Sequence, residues 1–181
     1  ASAKASKDSA SLNDCLYRGP VILDDLCGLL LRFRCNKIAL VSDIEKAFLQ
    51  IDLQKTQRDV SRFFWVKDPG KPAEGDNIVT YRFKRVFFGA VASPFLLGAT
   101  IQTHLKRSGG EVAEKIRQNL YVDNVITGES TENRAVQHYL QAKGLFLGAG
   151  MNLREFYTNS SEVRSKIEEK DQGMSPEPRV L

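Results

Sequence analysis

The sequence predicts an α+β fold whose elements follow the split βαβ order of ferredoxin-like sheets. A continuous apolar run over residues 37–43 is typical of a buried strand, and the pattern over 94–107 predicts a helix. Residues 119–127 then predict a tight hairpin, and a helix over 131–147 leads to a last strand over 151–156. In this order the first strand and the tight hairpin are neighbours at the centre of the sheet.

Three further elements surround this order. Over residues 21–33, apolar side chains recur at three- and four-residue steps, which predicts an amphipathic helix with favourable acids in its first turn. Residues 62–67 and 78–84 predict a two-stranded hairpin around a tip over 69–75 that is rich in Pro and Gly. A more charged helix is predicted over 111–118.

Length and composition favour one globular unit. With 181 residues the chain is long enough for one domain with a real core and short for two. The net charge of +4 is compatible with a polyanionic partner, but many other proteins share it. The chain begins at Ala1 rather than Met, so we expect a piece of something longer. We expect the polar stretch 161–181 to be a charged linker or the start of a following region.

Cysteine usage and hydropathy bound the compartment. The spacings of Cys15, Cys27 and Cys35 match no zinc site, so we expect buried thiols. No stretch approaches the roughly 20 apolar residues that cross a bilayer, and the start of the chain lacks the apolar core of a signal peptide. We therefore expect an intracellular, reducing compartment and no membrane contact.

Two short apolar runs each end in an aspartate, at Asp43 and at Asp123, and Asn124 completes the predicted turn of the tight hairpin. A lone aspartate after a strand is most often a turn or cap residue. Two carboxylates held together, however, repel and raise each other's pKa unless a cation neutralises them. Mg²⁺ prefers carboxylate oxygens and substrate phosphates. The pair therefore predicts two-metal phosphoryl transfer on nucleic acid, which requires no nucleophilic side chain.

Several segments resemble a known family in their order along the chain. Residues 43–48 (DIEKAF), then Phe88-Gly89 with 93–95 (SPF), then 121–124 (YVDN) resemble the first three palm motifs of reverse transcriptases. This resemblance implies the palm of a right-hand polymerase with partial fingers over residues 1–160.

Two more segments narrow the resemblance. Residues 11–16 (SLNDCL) with Gly19-Pro20, and residues 152–156 (NLREF) with 158–160 (TNS), are similar to the BEL/Pao class of LTR retrotransposons. The resemblance implies an RNA-directed DNA polymerase domain of a retrotransposon polyprotein, which adds deoxynucleotides to a primer 3′-OH.

The resemblance also implies roles for individual residues. Asp43 and Asp123 would bind both Mg²⁺ ions, with Mn²⁺ as a possible substitute, and the Ile44 backbone carbonyl would add an oxygen. Asn124 stands where the family's third motif has its second aspartate.

The remaining implied roles concern substrates. Phe48 matches the bulky residue that excludes a ribonucleotide 2′-OH, and Phe88 and Gly89 match the segment that lines the nucleotide. The primer-contacting residues would be Tyr121, Leu153, Arg154 and Phe156, of which the last three begin a primer-gripping hairpin. On pattern alone, an aromatic residue is more often part of a core.

The implied partners are an RNA or DNA template-primer duplex, deoxynucleoside triphosphates and the remaining domains of the parent polyprotein. The implied location is the cytoplasm, in the particle of the element.

Two alternatives to a polymerase stay open. Because Asn124 removes a charge from the third motif, the chain could be a catalytically impaired palm that only binds nucleic acid. A ferredoxin-like RNA-binding module without a metal site would instead need exposed aromatic residues on the sheet face.

Overall fold

The structure is a computed structural model that describes residue 4 and residues 7–174. Its helices and strands, in chain order, are α1 (Leu12–Cys15), α2 (Leu26–Arg34), β1 (Ile38–Ile44), β2 (Arg62–Val66), β3 (Ile78–Arg82), α3 (Ser93–Ser108), α4 (Glu111–Arg117), β4 (Leu120–Tyr121), β5 (Asn124–Glu129), α5 (Glu132–Gly148), β6 (Leu153–Thr158) and α6 (Ser161–Lys166). Short 3₁₀ helices lie at Ala47–Gln50, Lys55–Ser61, Gly75–Asn77 and Glu169–Asp171.

The predicted α+β class and the split βαβ order are confirmed. Strands β4, β5, β1 and β6 form one antiparallel sheet in that spatial order. Along the chain, β1 is followed by α3 and α4, then by β4 and β5, then by α5 and β6. Strand β1 therefore lies beside β5 at the centre of the sheet, as the sequence predicts.

The chain divides into two compact units. Unit 1 comprises Ala1–Gly19 and Phe48–Leu96, and unit 2 comprises Pro20–Ala47 and Leu97–Leu181. The four-stranded sheet belongs to unit 2, and the two-stranded sheet of β2 and β3 belongs to unit 1. Both units are discontinuous in sequence, because the chain leaves unit 2 after β1 and returns to it within α3.

The core of unit 2 lies on one face of its sheet. Ile38, Leu40 and Ile44 on β1 are buried, whereas Asp43 is partly exposed, because successive strand residues point to opposite faces. Helices α4 and α5 contact β5, and α5 also contacts β1 and β6. The buried side chains of α3, α4 and α5 include Leu97, Ile101, Leu105, Ile116, Tyr139 and Phe146. The acid at Asp43 is thus displayed on the face opposite to the β1 core residues.

In unit 1, β2 and β3 form the predicted antiparallel hairpin. Asn13, which follows the Ser11 N-cap of α1 by two residues, ties this N-terminal segment to the loop before α3. Its amide nitrogen donates to the Gly89 carbonyl at 2.8 Å, and its side-chain oxygen accepts from the Val91 N–H at 2.9 Å. Gly19 has a φ of +80°, and a Cβ there would overlap the Phe95 ring, so glycine is required.

One predicted helix boundary and the expected burial of the cysteines are wrong. Helix α2 begins at Leu26, because the Asp25 carboxylate caps it by accepting from the Gly28 N–H at 2.7 Å. The three cysteines are exposed rather than buried. Their positions lie on or beside the short helices α1 and α2.

The expected linker after residue 160 is folded as far as the structure describes it. Helix α6 buries Val163, and the following 3₁₀ helix buries Asp171. Gln172 forms a bridge with Phe156 of β6. A linker is therefore the wrong interpretation for residues 161–174, and residues 175–181 lie outside the described residues.

None of the helices that the structure describes combines the length and apolarity needed to cross a bilayer.

Candidate active site

The structure brings the two predicted acids to the same end of the sheet. Asp43, the penultimate residue of β1, lies opposite Asn124 of β5. The backbone N–H of Ile44 donates to the Asp123 carbonyl at 3.0 Å. Tyr121 pairs with Asn124, so the two-residue turn is Val122–Asp123, one position earlier than the sequence predicts.

Backbone strain is concentrated around these acids. Among the described residues, three that are not glycine have a left-handed backbone, Lys46 (φ 49°), Val122 (57°) and Glu155 (53°). Lys46 follows Asp43 by three positions, Val122 directly precedes Asp123, and Glu155 lies on β6 beside the residue that pairs with Asp43. Such residues cost of order 1–3 kcal/mol each and gather at functional sites. Sequence reasoning missed this signal because a β-branched Val does not favour this conformation.

The electrostatics of Asp43 reflect its crowded surroundings. Burial, followed by the negative charges of Asp123 and Glu155, raises the pKa of Asp43 from 3.8 to about 6. The positive charge of Arg154 acts in the opposite direction and keeps this pKa from rising further. The pairing of Asp43 with Asn124 and the hydrogen bond from the Ile44 N–H to the Asp123 carbonyl place the two aspartates at adjacent positions of the sheet.

The Asn124 side chain forms a hydrogen bond with the Asp123 carboxylate. Its side-chain nitrogen donates to Asp123 Oδ1 at 3.1 Å. An aspartate at this position would add a third negative charge. The amide instead contributes a hydrogen bond, and its carbonyl oxygen is a neutral atom that could bind a cation.

A second group of polar side chains beside the pair escaped the sequence analysis. Glu45, two residues after Asp43, accepts from Asn152 Nδ2 at 3.0 Å and from Arg154 Nη1 at 3.3 Å. The side-chain hydrogen bond from Asn152, followed by the charge of Arg154, lowers the pKa of Glu45. Glu45 and Asn152 both lie within segments that carry the family resemblance, which is the signal that could have found them.

The donor set fits a hard divalent cation. Among the residues that the structure describes, no three His, Cys, Asp or Glu side chains are grouped to hold a metal by themselves. Mg²⁺ needs no such cage, because it commonly binds one or two carboxylates and completes its shell with water and substrate phosphates. Asp43 and Asp123 supply two carboxylates whose mutual repulsion a cation would relieve.

Of the predicted primer-contacting residues, Arg154 lies 4.0 Å from the Asp43 carboxylate. Leu153 and Phe156 are both buried, and the Phe156 ring packs edge-on against Tyr139 with centroids 4.8 Å apart. Both are core residues of β6, which is an edge strand of the four-stranded sheet. Tyr121 is partly exposed on β4.

The predicted nucleotide-binding residues all belong to unit 1. Phe48 is buried and contacts the edge of Phe88, with ring centroids 4.8 Å apart, while Phe88 is 68% exposed. Gly89 has a φ of +87°, a conformation that favours glycine, and no atom lies within 4 Å of where its Cβ would be.

The sheet face does not suit an RNA-binding module that stacks bases. The aromatic residues of the four-stranded sheet are Tyr121, Phe156 and Tyr157, of which Phe156 is buried and the other two are only partly exposed. Base stacking on that sheet would require exposed rings, so the structure disfavours this alternative.

Comparison with known proteins identifies the fold. No protein-family model matches the sequence, and no curated protein matches it. Among solved structures, the protease-reverse transcriptase of prototype foamy virus (a CSH mutant) matches with a TM-score of 0.59 and 19% sequence identity. The chain has a reverse-transcriptase-like fold. The match covers 78% of this chain and 17% of the viral chain, so it concerns a small part of the viral protein. At this identity, the likeness extends to the fold alone.

Proposed function

We propose that the chain is the catalytic palm, with part of the fingers, of a BEL/Pao-type retrotransposon reverse transcriptase. In this proposal it adds deoxynucleotides to the 3′-OH of a primer on an RNA or DNA template. The observation that carries the proposal is the meeting of Asp43 and Asp123 at one end of a sheet with the split βαβ order.

The proposed cofactor is Mg²⁺, bound by Asp43 and Asp123 with help from the Ile44 backbone and the Asn124 carbonyl oxygen. When bound, two such ions would stabilise the attacking and leaving oxygens of an in-line displacement. The chain itself contributes position and charge. Asp43 is fixed by its central strand, and the Ile44 N–H holds the turn that carries Asp123. Since the pKa of Asp43 is raised to about 6, its carboxyl is mostly ionised at pH 7 and ready to bind a cation.

The BEL/Pao assignment is supported by Asn13, in the segment that resembles this class. By hydrogen bonding on both sides of Ala90, Asn13 organises the loop that carries Phe88 and Gly89. In this proposal that loop lines the incoming deoxynucleotide, and Phe48 excludes a 2′-OH. Tyr121 and the remaining domains of the polyprotein would contact the primer.

Primer extension tests the proposal directly. The full-length protein that contains this chain is assayed on poly(rA) with an oligo(dT) primer, dTTP and Mg²⁺. Because a lost metal ligand removes several kcal/mol of transition-state stabilisation, Asp123→Ala should lower extension by at least about a hundredfold. Asp76→Ala, at an exposed aspartate before β3, is the matched control and should extend like wild type. Wild-type extension by Asp123→Ala would contradict the proposal.

A second candidate is a palm that retains the fold but has lost most of its chemistry. The hydrogen bond from Asn124 to Asp123 favours it, because this bond engages one oxygen of a proposed metal ligand. In the same assay, extension by Asn124→Asp together with a silent wild type would select this candidate. Silence of both proteins would count against the active polymerase and against Asn124 as the cause of the lost chemistry.

A further inference from the structure

Arg154 places a fixed positive charge directly beside Asp43, one of the two proposed metal ligands. On the sheet, Arg154 of β6 pairs with Asp43 of β1, so the two side chains are cross-strand neighbours. The Arg154 Nε atom lies 4.0 Å from Asp43 Oδ2. The Nη1 atom lies 3.3 Å from Glu45 Oε1, and the Nη2 atom lies 3.8 Å from Glu155 Oε1.

A bulge in β6 directs Arg154 to this face. Val41 pairs with Tyr157 and Asp43 with Arg154. Between these two pairs β1 advances by two residues and β6 by three, so β6 contains one extra residue. The extra residue allows Leu153 and Phe156 to be buried on one face while Arg154, between them, lies on the other.

The Arg154 guanidinium is fixed by one hydrogen bond, and not all of its N–H groups have a hydrogen-bond partner among the described residues. Glu45 accepts its hydrogen bond, and Asn152 in turn fixes Glu45. The Arg154 Nε–H is buried and has no hydrogen-bond partner within the part of the chain that the structure describes. At 4.0 Å from Asp43 it makes an ion pair without a hydrogen bond. A contact of this kind neutralises charge without occupying the carboxylate oxygens.

We propose that Arg154 is the resident counter-ion of Asp43 and competes with a divalent cation for this carboxylate of the Asp43–Asp123 pair. This inference rests on the proposed function, which supplies the cation. It differs from a primer-contacting role, because Arg154 then acts on the charge of the site and not on nucleic acid. As a positioning residue, it stabilises the acids when no cation is bound and weakens cation binding by repulsion.

Electrostatics gives the direction and size of the effect. A unit charge within several ångströms of a divalent ion in a partly solvated site raises the dissociation constant of that ion by about tenfold or more. Replacing Arg154 with a neutral side chain of similar length should therefore tighten cation binding and destabilise the unliganded protein.

The test is a titration of the chain with Mn²⁺, followed by electron paramagnetic resonance of the free ion. Arg154→Met should bind Mn²⁺ about tenfold more tightly than wild type and melt at a lower temperature without metal. Arg154→Lys, which retains the charge, should stay near wild type. Arg134→Met is the matched control, because Arg134 pairs with Glu129 at the far end of β5. Its Mn²⁺ affinity should stay within about twofold of wild type, and Arg154→Gln repeats the test should the methionine variant not fold.

The outcomes separate this inference from the proposed function. If Asp123→Ala loses Mn²⁺ binding while Arg154→Met binds no more tightly than wild type, the counter-ion inference is overturned and the metal site stands. If Asp123→Ala binds Mn²⁺ like wild type, the proposed metal site fails and the inference fails with it. A purely structural Arg154 would lower the melting temperature without tightening Mn²⁺ binding.

Discussion

At Asp43 the fold holds a carboxylate in surroundings that resist its ionisation. The sequence predicts Asp43 and Asp123 as partners, because strand ends and the βαβ order are local patterns with known spatial consequences. It does not predict the place of Arg154, which depends on a bulge that no local pattern marks. Resemblance alone therefore assigns Arg154 to the primer, whereas its observed neighbours are acids.

The raised pKa of Asp43 makes stability depend on pH. Since the folded-state pKa of about 6 lies above the ordinary 3.8, the ionised carboxylate destabilises the folded protein. This destabilisation is absent below about pH 4 and complete above about pH 6. After allowance for solvent screening, Asp43→Asn should be more stable than wild type by about 1 kcal/mol at pH 7. This advantage should disappear near pH 3.5.

Urea unfolding at several pH values measures this difference, with Asp76→Asn as the matched control. A difference between Asp43→Asn and wild type that stays constant from about pH 3.5 to pH 7 would contradict the described electrostatics.

At the scale of elements, hairpins and amphipathic helices were predictable, and register was not. The tight hairpin is confirmed, but its turn is Val122–Asp123, because pairing of Tyr121 with Asn124 places the strained Val122 in the loop. The folded state of the segment after β6 was not predictable for a related reason. Its composition is polar, and the contacts that fix it come from α5, far away in sequence.

A buried ion pair anchors this segment. Asp171 is 1% exposed, accepts from the Tyr139 hydroxyl at 2.9 Å and pairs with Lys143 at 2.8 Å. Burial, followed by the hydrogen bond to Asp171, raises the pKa of Tyr139 to about 12.

Removing Asp171 should be costly because Lys143, with a side chain only 14% exposed, would lose its ion partner. We expect Asp171→Ala to lower the free energy of unfolding by about 3 kcal/mol. Glu169→Ala, at an exposed position of the same 3₁₀ helix, should change it by less than about 0.5 kcal/mol. Urea denaturation of both variants checks this. Equal effects would show that the segment is not anchored through Asp171.

At the scale of the whole molecule, the order of elements was predictable and the division into units was not. Chain length favours one domain. The sheet order follows from the split βαβ order of the elements. The two units arise because the chain inserts the segment Phe48–Leu96 between β1 and the rest of α3. No composition shift marks those borders. The similarity to the foamy virus structure supports the fold of the chain, and the candidate site rests on the chain's own residues.

Anomalous diffraction from crystals of the chain soaked in Mn²⁺ tests whether Asp43 and Asp123 bind a metal ion together. We predict an anomalous peak in contact with carboxylate oxygens of both Asp43 and Asp123, at metal–oxygen distances of about 2.1 Å. A map with no peak between these two carboxylates, at an Mn²⁺ concentration that saturates binding in solution, would contradict it.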